Sequence, residues 1–185
     1  MKKIFSHLKE FWYMYGLLIL IIGVTYGFGL LNSYEEQNSE ELFTIYTITE
    51  FEREEITGIS YLGNAGQELS FVKKEDGTWV YGPDETLTIE QDGPLYLVEL
   101  LKNITSEYQV ENPEDMSIYG LSEASPYIQI DTAKESKRIY IGEYNATVKR
   151  YYAYVEGQTT VYGVKTDVAE VLDYTLSNFT ANKFK

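Results

Sequence analysis

The residues that most often carry nucleophilic or metal chemistry are nearly missing: this 185-residue chain has one histidine, His7, and no cysteine. A Ser-His-Asp triad, a Cys-His pair, a two-histidine zinc site and a histidine general base each need a group that residues 8–185 lack. What remains is carboxylate and phenol. A glycosidase-type hydrolase needs two carboxylates across a cleft, and all but one of the 29 acidic residues follow residue 31, so spacing alone selects no pair. Asp84-Glu85 and Glu114-Asp115 read as turn and helix-start residues. Neither Glu75-Asp76-Gly77 nor Gln91-Asp92-Gly93 has the ligand spacing of a calcium loop, and no glycine-rich phosphate loop occurs. No metal or cofactor is expected. Tyrosine is the compositional excess, with 18 copies, and Tyr151, Tyr152 and Tyr154 crowd one segment. Such rings could stack on sugars or anchor a protein partner, but tyrosine also simply suits strands. Trp79 reads as a core residue.

Charge narrows the partners. Twelve of 15 basic and 28 of 29 acidic residues follow residue 31, a net charge of about −16 for that region. Such a surface repels phosphate backbones, so nucleic acid is not an expected partner. Lys134, Lys137, Arg138, Lys149 and Arg150 form the one basic cluster, read here as solvated strand faces.

These residues must be held somewhere, and the N-terminus says where. Residues 11–31 carry no charged side chain and include 11 Leu, Ile, Val or Phe residues. As a helix they would span roughly 31 Å, about the thickness of a bilayer's hydrocarbon core. Lys2, Lys3 and Lys9 precede the run, and no basic residue follows it until Arg53. The positive-inside rule therefore places residues 1–10 in the cytoplasm and the rest outside. A cleaved secretory signal has a shorter apolar core, so an uncleaved signal anchor is expected. A lipoprotein anchor needs a thiol that the chain lacks. Membrane lipid is thus the expected partner of 11–31, with the protein single-pass in the plasma membrane. Gly23 and Gly27 have the small-xxx-small spacing that lets two membrane helices approach closely.

Residues 32–42 read as an acidic stalk, and 43–185 as an extracellular domain. Strand patterns occur at 43–49, 56–62 and 68–73, with Asp76-Gly77 as a tight turn leading into 79–81. The period then changes to 3.6: Gly93-Pro94 opens an amphipathic helix of about 11 residues. Asn112 to Met116 looks like a capped single turn running into Tyr119-Gly120-Leu121. Four more strands are expected at 127–131, 138–141, 151–155 and 160–164. A last helix is signalled by Thr166 or Asp167 as its cap, followed by Val168, Val171, Leu172, Leu176 and Phe179. The fold class is α+β: antiparallel strands with two amphipathic helices. Each half contains a hairpin turn, a Val-Tyr-Gly and a helix, which suggests half-repeats at 43–112 and 113–185.

Four elements in order carry a resemblance: Asp76-Gly77-Thr78-Trp79; Ile118-Tyr119-Gly120-Leu121 with Pro126; Ile139-Tyr140-Ile141-Gly142; and Val161-Tyr162-Gly163-Val164. Together they resemble the domain-of-unknown-function family 4340 over roughly residues 43–184. The resemblance implies a membrane-anchored α+β domain. It also implies an accessory role in an envelope complex, beside ABC-type transport components that include systems linked to gliding motility. Trp79, Tyr119, Gly120, Leu121 and Gly142 are then family-motif residues with a structural role. Fold analogy assigns no activity. A non-catalytic interaction module that contacts ABC-type transport subunits is the leading expectation, a cell-surface polysaccharide-binding module the alternative, and a carboxylate-based hydrolase the third.

Overall fold

Trp79–Tyr81, the strand after the Asp76-Gly77 turn, forms one edge of an eight-stranded sheet that gathers nearly every strand of the protein. The computed structural model describes residues 21, 23–25 and 44–180. The chain divides into two units, Met1–Phe43 and Thr44–Lys185. In the first unit residues 21 and 23–25 are helical, and the Thr25 hydroxyl donates to the Ile21 carbonyl at 2.9 Å. The rest of the expected span at 11–31 lies outside the described residues. Among the described residues no helix is long and apolar enough to cross a membrane.

In the second unit the main sheet is built from β2 (Ile56–Leu62), β3 (Glu68–Lys73), β4 (Trp79–Tyr81), β6 (Gln109–Val110), β7 (Tyr127–Thr132), β8 (Ser136–Asn145), β9 (Arg150–Val155) and β10 (Val161–Val164). Their order is β4-β3-β2-β7-β8-β9-β10-β6, and every neighbouring pair is antiparallel. Two meanders, β2–β4 and β7–β10, therefore join through β2 and β7 into one surface. Both meanders use a left-handed glycine at the corresponding turn, Gly77 (φ 86°) and Gly157 (φ 79°). At the first turn the Asp76 carboxylate accepts from the Thr78 amide at 2.9 Å and its hydroxyl at 2.6 Å, which fixes the corner.

Strand alternation sets the two faces. Ile59, Tyr61, Phe71, Ile128, Ile130 and Ile139 are fully buried on one face, beneath the helices. Helix α1 (Asp92–Leu101) lays Leu97, Val98 and Leu101 on that face. Its C-terminus has no glycine cap. Instead the buried Thr49 hydroxyl donates to the Leu101 carbonyl and accepts from the Ile104 amide, both at 2.7 Å. Only Tyr46–Thr47 (β1) of the expected 43–49 strand is extended into a ladder, paired with β5 (Thr105–Ser106), because Thr49 is diverted to this latch.

The expected single last helix is broken. Helix α2 (Thr166–Glu170) passes into a 3-10 turn at Val171–Asp173, Tyr174 is extended (ψ 134°), and α3 (Leu176–Thr180) starts anew. The cap is also one residue earlier than expected, at Lys165. The break has a physical cause: carbonyls that would continue the helix are taken from across the fold. Leu172 O accepts from the Asn64 amide at 3.1 Å, and Tyr174 O accepts from the Tyr61 hydroxyl at 3.2 Å. Thr175 then restarts the helix, its amide donating to the Asn178 side chain at 3.0 Å in the manner of a capping box. Phe179 is delivered fully buried against Phe71, ring centroids 4.3 Å apart. The architecture is mostly antiparallel sheet with a few short helices, an α+β arrangement.

Candidate functional site

The expected motif residues Tyr119, Gly120, Leu121 and Gly142 meet on the sheet face opposite the helices. The segment that brings them there starts at Asp115, whose carboxylate accepts from the Ser117 amide at 2.8 Å and caps a 3-10 turn at Met116–Tyr119. Hydrogen bonding to the charged form, from the Ser117 side chain first and its amide second, holds the Asp115 carboxyl below its ordinary range. Gly120 ends the turn in the left-handed conformation (φ 68°), which a side chain would strain. Beyond it the buried Ser125 hydroxyl donates to Gly120 O at 3.1 Å and accepts from the Ser122 amide at 2.9 Å, closing the loop before β7.

This loop rests on a bulge in β8. Ile141 pairs with Ala153 but Tyr144 pairs with Tyr151, so β8 carries one extra residue at Gly142-Glu143. The contact is reciprocal. A Cβ on Gly142 would collide with the Tyr119 carbonyl oxygen and come within 2.9 Å of Leu121 Cδ2. A Cβ on Gly120 would lie 2.5 Å from Glu143 Cγ and 2.9 Å from the Glu143 amide nitrogen. Two motif glycines distant in sequence therefore permit one backbone-to-backbone approach. Leu121, 2% exposed, is driven into a second small core with Tyr140 and Val161.

Tyrosines surround that core. Tyr140 and Tyr154 stack at 4.8 Å with 10° between planes, Tyr119 meets Tyr152 edge-on at 4.8 Å, and Tyr127 meets Tyr140 at 6.0 Å. Arg138 lies 4.3 Å over the Tyr127 ring and donates twice to Gln129 Oε1, at 3.0 and 2.6 Å. Burial, with Tyr140 alongside, raises the Tyr154 phenol above its ordinary range. Strand period separates the expected trio: Tyr152 and Tyr154 share this face, whereas Tyr151 packs on the helix side, its ring 5.0 Å from Tyr144.

Trp79 is 2% exposed within the larger core, and its indole nitrogen is the one buried side-chain polar atom among the described residues without a hydrogen-bond partner. Its backbone carries a contact that sequence reading missed. The Gln91 side-chain amide accepts from Trp79 N at 2.7 Å and donates to Trp79 O at 3.0 Å, so one amide occupies the outer rim of edge strand β4. Only the turn signal next to Gln91 hinted at a special position. Gly23 lies in the first unit with open space around it, and Gly27 is outside the described residues.

The basic cluster is dispersed. Lys134 pairs with Glu55 at 2.7 Å, Lys137 donates to the Ile48 carbonyl at 3.2 Å, and Arg150 lies 3.5 Å from Glu107. Among the described residues no group of three or more His, Cys, Asp or Glu side chains is placed to hold a metal ion.

Two hollows adjoin the motif. One of about 250 Å³ runs beside Gly120 and Gly142 and is lined by Glu143, Glu170 and Asp173, the last accepting from Asn64 Nδ2 at 2.8 Å. The other, about 310 Å³, lies on the tyrosine face between Pro113, Met116, Leu121 and Tyr154, with Ser122, Glu123, Gln158 and Thr159 around it.

A comparison with curated proteins and another with solved structures returned no match. A family model described as a domain of unknown function (DUF4340) matches residues 79–184, a narrower reach than 43–184, leaving β1, β2 and β3 outside it. The matched stretch begins at Trp79 and contains both motif glycines, more than half of the chain in all, and the protein belongs to the DUF4340 family.

Proposed function

We propose that this protein is a non-catalytic interaction module, anchored in the plasma membrane by residues 11–31, that serves an extracellular accessory role in an envelope or ABC-type transport complex. The observation that carries this reading is the reciprocal seat of Gly120 on Glu143 and of Gly142 on Tyr119: the family's motif residues are used to shape a surface rather than to line up reactive groups. The phenols near that seat pack on one another, and the carboxylates of Asp76, Asp84 and Asp115 hold turns. The segregation of Tyr151 from Tyr152 and Tyr154 weighs against a three-ring sugar platform.

Affinity purification of the full chain from native membranes after chemical crosslinking tests the reading. Reproducible recovery of membrane transport subunits is expected, and recovery of the chain alone overturns it. The anchor is tested separately by adding protease to intact protoplasts: the C-terminal domain should be digested. A protected domain, or a mature N-terminus near residue 30, would overturn the topology.

A further inference from the structure

We propose that the hollow beside Tyr154 receives an apolar side chain from a basic peptide segment of a partner protein. This deepens the interaction-module reading and rests on it. Three observations converge. The hollow is about 310 Å³, room for one large apolar side chain, and half of its lining is apolar: Pro113, Met116, Leu121 and the Tyr154 ring. Met116, which lines it, opens the 3-10 turn at Met116–Tyr119, and the same turn carries Ile118, which at 66% exposure is the most exposed large hydrophobic among the described residues. A buried leucine in the lining of a hollow, with an exposed isoleucine two residues from the lining residue Met116, is the pattern of an anchor pocket within a contact patch.

Charge selects the occupant. Glu123 lines the hollow, and Glu114 and Asp115 stand in sequence between the lining residues Pro113 and Met116. Among the described residues neither Glu114 nor Glu123 forms an ion pair, and no basic residue lines the hollow. A partly apolar pocket with a carboxylate in its lining, and no cation there, favours an aliphatic or aromatic residue flanked by Lys or Arg and disfavours an acidic segment. A sugar would find one stacked ring already covered on one side by Tyr140.

The probe is a fluorescein-labelled hexapeptide, KKLFKK, titrated by anisotropy against the full-length chain in phosphatidylcholine nanodiscs, with empty nanodiscs as blank. KKSSKK and EELFEE are the controls. KKLFKK should bind about tenfold or more tightly than either. Ile118→Asp and Glu123→Lys change exposed side chains, so each should keep the unfolding midpoint while weakening KKLFKK binding about threefold or more. Equal binding of KKSSKK, or variants that bind as the parent does, overturns the proposal. Displacement of the peptide by chitotriose, with no preference for KKLFKK over KKSSKK, overturns it in favour of a saccharide. If membrane crosslinking recovers a transport subunit attached far from Ile118, this inference fails while the interaction module stands. Peptide binding at Ile118 without any membrane partner would do the reverse, supporting the pocket and removing the accessory role.

Discussion

Gly142 lies directly against the Tyr119 carbonyl, in space that any side chain would fill, and Gly120 mirrors it by leaving room for Glu143. Because both obstacles include backbone atoms, a rotamer change cannot relieve them. Gly142→Ala should therefore destabilise the domain by about 1–3 kcal/mol or more, as overpacking does. Gly120→Ala adds the left-handed backbone penalty to its clash. Urea unfolding of the full chain followed by tyrosine fluorescence checks this, and a change below about 0.5 kcal/mol for either variant would refute the seat.

Gln91→Ala removes both bonds to the Trp79 backbone and leaves an open strand edge. Two lost hydrogen bonds should cost about 1–3 kcal/mol, and the bare edge should promote self-association that grows with concentration. Light scattering after size-exclusion chromatography reads the second effect. Gln91→Glu should behave similarly, since an ionised carboxylate cannot donate to Trp79 O.

Asp76, Asp84 and Asp115 each have a folded-state pKa below the ordinary 3.8, first through a side-chain hydroxyl bond and then through a backbone amide. A depressed carboxyl contributes stability that is present above its unfolded pKa and lost as pH falls through the folded one. The domain should therefore lose stability as the pH drops below about 4. Asp76→Ala should flatten that acid limb in a pH series of thermal melts; an unchanged slope would contradict the assignment.

The alkaline limb has a different origin. Burial pushes the Tyr61 phenol far above its ordinary value of 10, and Tyr174 up to about 12, with burial again the main cause and Tyr96 next. Groups raised in the folded state give stability that is intact below the unfolded pKa and lost as pH rises toward the folded one. Unfolding should set in between pH 10 and about 12. Tyr61→Phe should shift that onset upward while costing about 0.5–1.5 kcal/mol at neutral pH for the bond to Tyr174 O. An onset unmoved by the substitution would assign alkaline unfolding elsewhere.

Local chemistry was legible in the sequence wherever near neighbours decide it. Asp76-Gly77 specified its turn, alternation marked β2, β3 and β7–β10, and the 3.6 period with Pro94 marked α1. Distant partners were not legible. The last helix has an unbroken apolar pattern, yet Asn64 and Tyr61, more than 100 residues away, claim the carbonyls at Leu172 and Tyr174. The motif Tyr119-Gly120-Leu121 was recognisable, but its reason was not, since a glycine needed for close approach looks like any other until Gly142 is placed beneath it. Gln91 stood beside a turn signal and gave no sign of reaching back to Trp79. The basic residues of β8 and β9 scatter because strand alternation and a ten-residue strand carry sequence neighbours to separate surfaces.

The seam between β2 and β7 sets the smallest piece of this chain that can stand alone. A fragment trimmed to the stretch the family shares, starting at Trp79, would amputate two inner ribbons and uncover the flank of β7 from Tyr127 to Thr132. Ile128 and Ile130 would lose their lateral neighbours, and a row of amides would seek new company. Excision for biochemical work should therefore begin upstream of Tyr46, so that the seam stays sewn.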